Sequence, residues 1–362
     1  MNNFAFIVHP LDISYFSRKF GLVGKLPPRL QESLFKLAPP VKVSKITGVY
    51  SDYAATEGWF VACPLTARLM LKLPEEYVLK KIIKAGRLAQ KLGAKIVGLG
   101  AFTSVVGDAG VTVAKNLDIA VTTGNSYTVA TALEGAREAA RLMGHDLKKS
   151  HAVVVGATGS IGQVCARMLA RDVRALTLVA RDKKKLDELA RKIIYDTGVA
   201  AGITSDIKQA LRNAQIVITV TSAVDTIIEP GDLRPGTVVC DVSRPRNVSK
   251  QVAEQRQDVL VIEGGVVEVP GEVNFNFNFG FPPGMSYACM AETMILSMEG
   301  RYENFSLGRD LTVQQVEEIA ALAKKHNFKL AGFRSFEKAV SAKEIEAISA
   351  RARAELNLAM VE

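Results

Sequence analysis

Short unbroken apolar runs at residues 153–155, 176–180, 216–220, 238–242 and 259–262 alternate with stretches of helical or loop character. Strands buried in a sheet read in this way, so the rhythm predicts repeated βαβ units in a doubly wound α/β sheet. The stretch 163–171, with apolar Val164, Met168 and Leu169, predicts the helix after the first of these strands. Upstream, strands are expected at 4–8, 46–50, 59–62 and 95–99, with helical stretches after the first and a helix over 75–92. Downstream, 286–298, 312–326 and 342–358 have helical apolar spacing. Residues 274–279 alternate Asn and Phe, which fits a strand with one buried face until Pro282-Pro283-Gly284 breaks it.

Candidate chemistry enters where the run 153–155 ends, at Gly156-Ala157-Thr158-Gly159-Ser160-Ile161-Gly162. Strand, glycine turn and helix build a dinucleotide site, because glycine lets the backbone approach a pyrophosphate that the helix N-terminus faces. The spacing G-x-x-G-x-x-G departs from the usual G-x-G-x-x-G, while the strand–turn–helix context is the one the motif requires. Gly156, Thr158, Gly159, Ser160, Ile161 and Gly162 are therefore cofactor candidates. Nineteen residues past Gly162, where an NAD enzyme places an acidic residue, stands Arg181, followed by Lys183, Lys184 and Lys185. A cation there favours NADPH, whose 2′-phosphate needs one. Ser222 and Ala223 end another strand and join the cofactor candidates; Asp241 ends a third, as a loop cap or a direct contact. The expected organisation is an N-terminal α/β substrate domain over 1–148, a Rossmann-type domain over 149–270 and a C-terminal helical segment over 271–362.

The 362 residues suffice for two or three domains. Four scattered cysteines and four histidines suggest neither a zinc site nor a disulfide framework, so no metal is expected. With no secretory leader pattern and no run of 18 apolar residues, a cytoplasmic protein without a transmembrane segment is expected. The net charge of +9 is dispersed, with no nucleic-acid recognition motif; an acidic partner or a phosphorylated cofactor explains it equally. The loops 100–104 and 122–126 follow apolar runs, where open sheets expose ligand-binding groups. Thr103, Ser104, Gly124 and Asn125 are substrate candidates there, against the reading of both loops as ordinary turns and helix caps.

Cys289 falls near the start of a helix directly after Pro282-Pro283-Gly284. The positive end of a helix dipole raises the thiolate fraction of such a cysteine, whereas free cysteines more often pack as small hydrophobes. Cys165 and Cys240 read as core; Cys63, before Pro64, is harder to dismiss.

These stretches resemble the long-chain acyl-[acyl-carrier-protein] reductases, which reduce fatty acyl thioesters to aldehydes. The matching motifs are Gly100-Ala-Phe-Thr-Ser104, Thr122-Thr-Gly-Asn125, Val154 through Gly162, Gly264-Gly-Val-Val-Glu268, Ala288-Cys-Met-Ala-Glu292, Glu299-Gly300 and Asn304-Phe-Ser-Leu-Gly-Arg309, in the family's order. The resemblance implies NADPH, Cys289 as the acyl-carrying catalytic residue, an acyl carrier protein or coenzyme A thioester as partner, and an oxygenase among the consumers of the aldehyde. Ser160, Tyr287 and the residues beyond Lys329 depart from the family pattern. His9 and Tyr287 are candidates for proton transfer. The alternative is a shikimate-dehydrogenase-like hydride enzyme without covalent catalysis, for which Lys95 and Asp118 would be the proton-transfer pair. A glutamyl-tRNA-reductase-like enzyme would use Cys63, and a non-catalytic NADPH sensor would acylate no cysteine.

Overall fold

The computed structural model describes residues 2–10, 27, 30, 35–223, 225–243 and 245–358. Packing divides the chain into two units, Met1–Gly124 with Glu268–Asp310 and Ile319–Lys329, and Asn125–Val267 with Leu311–Glu318 and Leu330–Glu362. The helical stretches expected after the first strand lie mostly outside the described residues.

In the first unit, β1 (Asn3–Val8), β2 (Val41–Tyr50), β3 (Ala55–Ala62), β4 (Ile96–Leu99) and β5 (Ala120–Thr122) form a mixed sheet with the strand Gly271–Asn274 at one edge. β3, β1, β4 and β5 run parallel, in that spatial order, so the carboxyl ends of β1, β4 and β5 share one edge. Helix α1 (Glu75–Lys91) buries Val78, Ile82, Ala85 and Ala89, at helical spacing, in the same apolar cluster as Ala5, Ile7, Val97 and Val121.

The second unit opens with α2 (Asn125–Leu142) and then winds β6 (His151–Val155), α3 (Ser160–Leu169), β7 (Ala175–Val179), α4 (Lys183–Thr197), β8 (Ala201–Thr204), β9 (Ile216–Thr219), β10 (Val238–Asp241) and β11 (Leu260–Glu263). The wholly parallel order β11-β10-β9-β6-β7-β8 is that of a Rossmann sheet. Its topological switch falls between β6 and β9. β9, β10 and β11 are buried throughout, because apolar clusters cover both faces of the sheet.

The sequence boundary at 148 is corrected by the packing of α2. Its Val129, Ala132, Leu133 and Ala136 lie in one core with Cys165, Ile218 and Cys240 of the second unit. The boundary at 270 is corrected likewise, since residues 268–310 return to the first unit. The segment beyond 271 is not solely helical: a hairpin pairs Phe333–Ser335 with Lys338–Val340 before the helix Ala342–Leu358.

The Asn–Phe stretch is strand only as far as Asn274. The Asn274 and Asn278 side chains accept from the Asn276 and Gly280 N–H groups, at 2.8 and 2.9 Å, and Asn276 takes φ +47°. These local turns divert the backbone from a ladder. The phenylalanines stay together: Phe60 meets Phe275, Phe277 and Phe279 at centroid distances of 5.6–6.0 Å.

Candidate active site

Helix α5 (Ala288–Met298) brings the chemistry to the first unit. Ten of its eleven residues are buried, and Cys289 is the exception. The helix fits because small residues make room for it: a methyl added to Gly98 of β4 would lie 2.1 Å from Thr293 Oγ1. Thr56 and Ser297 join hydroxyls at 2.7 Å, and Thr293 Oγ1 donates to the Cys289 carbonyl at 3.3 Å. Tyr287 is the N-cap and supplies no side-chain cap bond. Cys289 is thus the second residue of a helix whose positive end its sulfur shares.

The turn after β5 closes on this cysteine. Gly124 has φ +74°, and a Cβ there would sit 2.2 Å from Cys289 Cα and 2.3 Å from its Cβ. Only glycine leaves the turn this near. Three residues along α5, the fully buried Glu292 accepts from Thr122 Oγ1 at 2.5 Å and Ser306 Oγ at 2.6 Å. Thr123 Oγ1 donates to the Ser306 carbonyl at 2.5 Å, and Asn304 Oδ1 accepts from the Val121 N–H at 2.9 Å. Sequence reasoning missed Glu292, Asn304 and Ser306 as site-forming groups. The available signal was a single carboxylate in an otherwise uncharged helix.

The other candidates separate by environment. Burial pushes the thiols of Cys63 and Cys165 up to about 12, which leaves them protonated and unreactive near neutrality. Cys240 is fully buried. Burial holds His9 below the usual imidazole range. Its Nε2 accepts from the Phe102 N–H at 3.3 Å and its Nδ1 lies 3.1 Å from the Pro10 carbonyl, so its nitrogens shape the loop after β4. In that loop Thr103 and Ser104 donate their hydroxyls to the Gly100 and Ala101 carbonyls, at 2.8 and 2.7 Å, as turn caps do. Tyr287 packs edge-on against Phe281 at 4.6 Å. Lys95 and Asp118 precede β4 and β5, at the opposite edge of the sheet from Gly124. Lys95 Nζ lies over the Tyr302 ring and Asp118 bonds Gln90, so they do not form the pair a hydride dehydrogenase would need.

In the second unit the glycine turn has the shape of a dinucleotide cradle. Gly156 has φ +83°, and its absent Cβ would meet the Val220 carbonyl at 2.4 Å, at the switch point of the sheet. A Cβ on Gly162 would lie 2.2 Å from the Gly156 carbonyl. Gly159 caps α3 without a side chain, and Thr158, Gly159, Ser160 and Ile161 are all partly or fully solvent-accessible. Backbone there is open to a pyrophosphate. Asn125 Nδ2 is 3.5 Å from Ser160 Oγ, which puts Asn125 beside the cradle, while the buried Ser126 hydroxyl has no partner among the described residues. Exposed Arg181 follows β7 and enters no ion pair among the described residues. Ser222 is exposed, and the Ala223 N–H is turned onto Thr221 Oγ1 at 3.1 Å. Asp241 accepts from the Ser243, Asn247 and Val248 N–H groups at 2.9–3.1 Å, the arrangement of a loop cap.

A family model described as shikimate / quinate 5-dehydrogenase matches residues 137–263. That segment lies within the second unit, whose sheet order is Rossmann-type. The chain is 30% identical over 338 residues to the aminotransferase PigE of a Serratia species, covering 90% of this chain and 39% of that protein. It thus spans about two fifths of that relative's length. It is 28% identical over 313 residues to the long-chain acyl-[acyl-carrier-protein] reductase of Synechococcus elongatus, covering 80% of this chain and 87% of that one. Among solved structures, the glutamyl-tRNA reductase of Methanopyrus kandleri aligns at 18% identity over 79% of this chain and 58% of its own, with a TM-score of 0.31. No described helix is long and apolar enough to cross a membrane.

Proposed function

We propose that the chain reduces long-chain fatty acyl thioesters to aldehydes with NADPH, through an acyl thioester on Cys289. The observation that carries this reading is the single half-buried residue of α5, a cysteine at the positive end of an otherwise buried helix. The Synechococcus elongatus relative, a long-chain acyl-[acyl-carrier-protein] reductase by name, supports the substrate class.

Cys289 thiolate attacks the acyl carbon, its S–C bond forms as the carrier's S–C bond breaks, and the carrier leaves as a thiol with a proton from solvent. Backbone N–H groups at the start of α5 face the developing oxyanion. The Gly156–Gly162 turn and Arg181 would hold NADPH, which would supply the hydride that brings the acyl carbonyl to the aldehyde level. Cys289 then departs as a thiolate, ready for the next acyl group. The net charge of +9 suits an acidic carrier protein and anionic coenzyme A alike.

NADPH oxidation and aldehyde formation from palmitoyl-CoA test this reading in the wild type and in Cys289→Ala. Turnover should fall to background in the variant while NADPH binding persists. Undiminished turnover by Cys289→Ala would overturn the covalent route.

A further inference from the structure

Glu292 is the one charged residue of α5 and is fully buried. A carboxyl taken out of water is strongly disfavoured unless hydrogen bonds replace the solvent. Two of its donors come from other segments of the unit: Thr122 at the end of β5 and Ser306 in the 304–306 segment, whose hydroxyls are 3.1 Å apart and both reach Oε1. The other polar groups of the helix do a different task. Ser297 bonds Thr56 of β3, and Thr293 bonds within the helix.

Thr122 begins the turn that ends against Cys289. The Gly124 N–H donates to Thr122 Oγ1 at 3.3 Å, and Thr123 Oγ1 donates to the Ser306 carbonyl. Ser306 holds φ +47°, a conformation that a serine keeps only where its surroundings impose it. The turn has no slack, since a Cβ on Gly124 would already overlap Cys289 Cα and Cβ. One helix therefore carries the cysteine and, three residues on, the anchor for the wall beside it.

We propose that Glu292 is a positioning residue: by accepting from Thr122 and Ser306 it seats the 122–124 turn against Cys289 and so fixes the direction of its thiol, an inference that rests on Cys289 being the acyl acceptor. What the seat requires is an acceptor oxygen at that depth. Glutamine retains one and alanine does not.

The test is the rate at which palmitoyl-CoA acylates Cys289 in single turnover without NADPH, followed by intact mass, beside the rate of iodoacetamide alkylation. The full-length wild type is compared with Glu292→Gln, Glu292→Ala and Thr122→Val. Loss of a buried acceptor or donor should slow acylation about tenfold or more, with half-saturating palmitoyl-CoA within about twofold of wild type. Glu292→Gln should retain most of the rate, and the Glu292→Ala/Thr122→Val double variant should be no slower than the worse single one, because both break the same bond. A merely structural role would lower thermal stability without this split between rate and half-saturation. Acylation at the wild-type rate in Thr122→Val, or a Glu292→Gln variant as slow as Glu292→Ala, overturns the proposal. If Glu292→Ala does not fold, Thr122→Val and Glu292→Gln decide. A wild type that palmitoyl-CoA never acylates instead overturns the reading of Cys289 as acyl acceptor; iodoacetamide rates that follow the same order then still support the seat, and equal rates overturn it.

Discussion

Four thiols in one chain differ in chemistry because their surroundings differ. Cys63 and Cys165 are fully buried, and desolvation of the thiolate raises each to about 12, so across pH 7 to 9 both remain in the unreactive protonated form. Cys240 is shut off from solvent on its strand. Iodoacetamide on the native protein at pH 8 should therefore add one equivalent, and peptide mapping should place it on Cys289. Labelling of Cys63 at a comparable rate would contradict this account. The position of Cys289 at a helix start was legible in the sequence, because a Pro-Pro-Gly break stands just before a helical stretch. Glu292 was not legible as an anchor, since its partners are 170 and 14 residues away in the chain.

Among the elements, the Rossmann strands were legible because burial on both faces removes polar residues from all but one end position of each of β6, β9, β10 and β11. β8, with Gly202 exposed and Ala201, Ile203 and Thr204 half exposed at the sheet edge, carries no such signal. The Asn–Phe stretch misled for a local reason. Its period of two is that of a strand, and asparagine side chains capture the backbone N–H groups that a ladder would use. The glycine turn was readable despite its spacing, as glycine is required wherever a Cβ would strike the Val220 or Gly156 carbonyl. Arg181→Ala should weaken NADPH binding roughly ten- to hundredfold, the worth of one or two charge-assisted hydrogen bonds to phosphate, and leave NADH binding nearly unaffected. Fluorescence titration of each nucleotide checks this, and equal losses for both would remove Arg181 from the 2′-phosphate site.

For the whole molecule, the chain order hides the division of labour. The first unit is assembled from three stretches, so Cys289, late in the sequence, shares a unit with Gly124 and Thr122. Local periodicity reports elements and is silent on such returns, which is why the boundaries at 148 and 270 were misplaced. Acyl transfer to Cys289 is checked by incubating the protein with palmitoyl-CoA without NADPH, taking an intact mass and then adding NADPH. One palmitoyl group is expected on the peptide that contains Cys289, lost as hexadecanal once NADPH is present. NADPH oxidation with palmitoyl-CoA in the absence of any adduct, or an adduct that persists after NADPH is added, would contradict it.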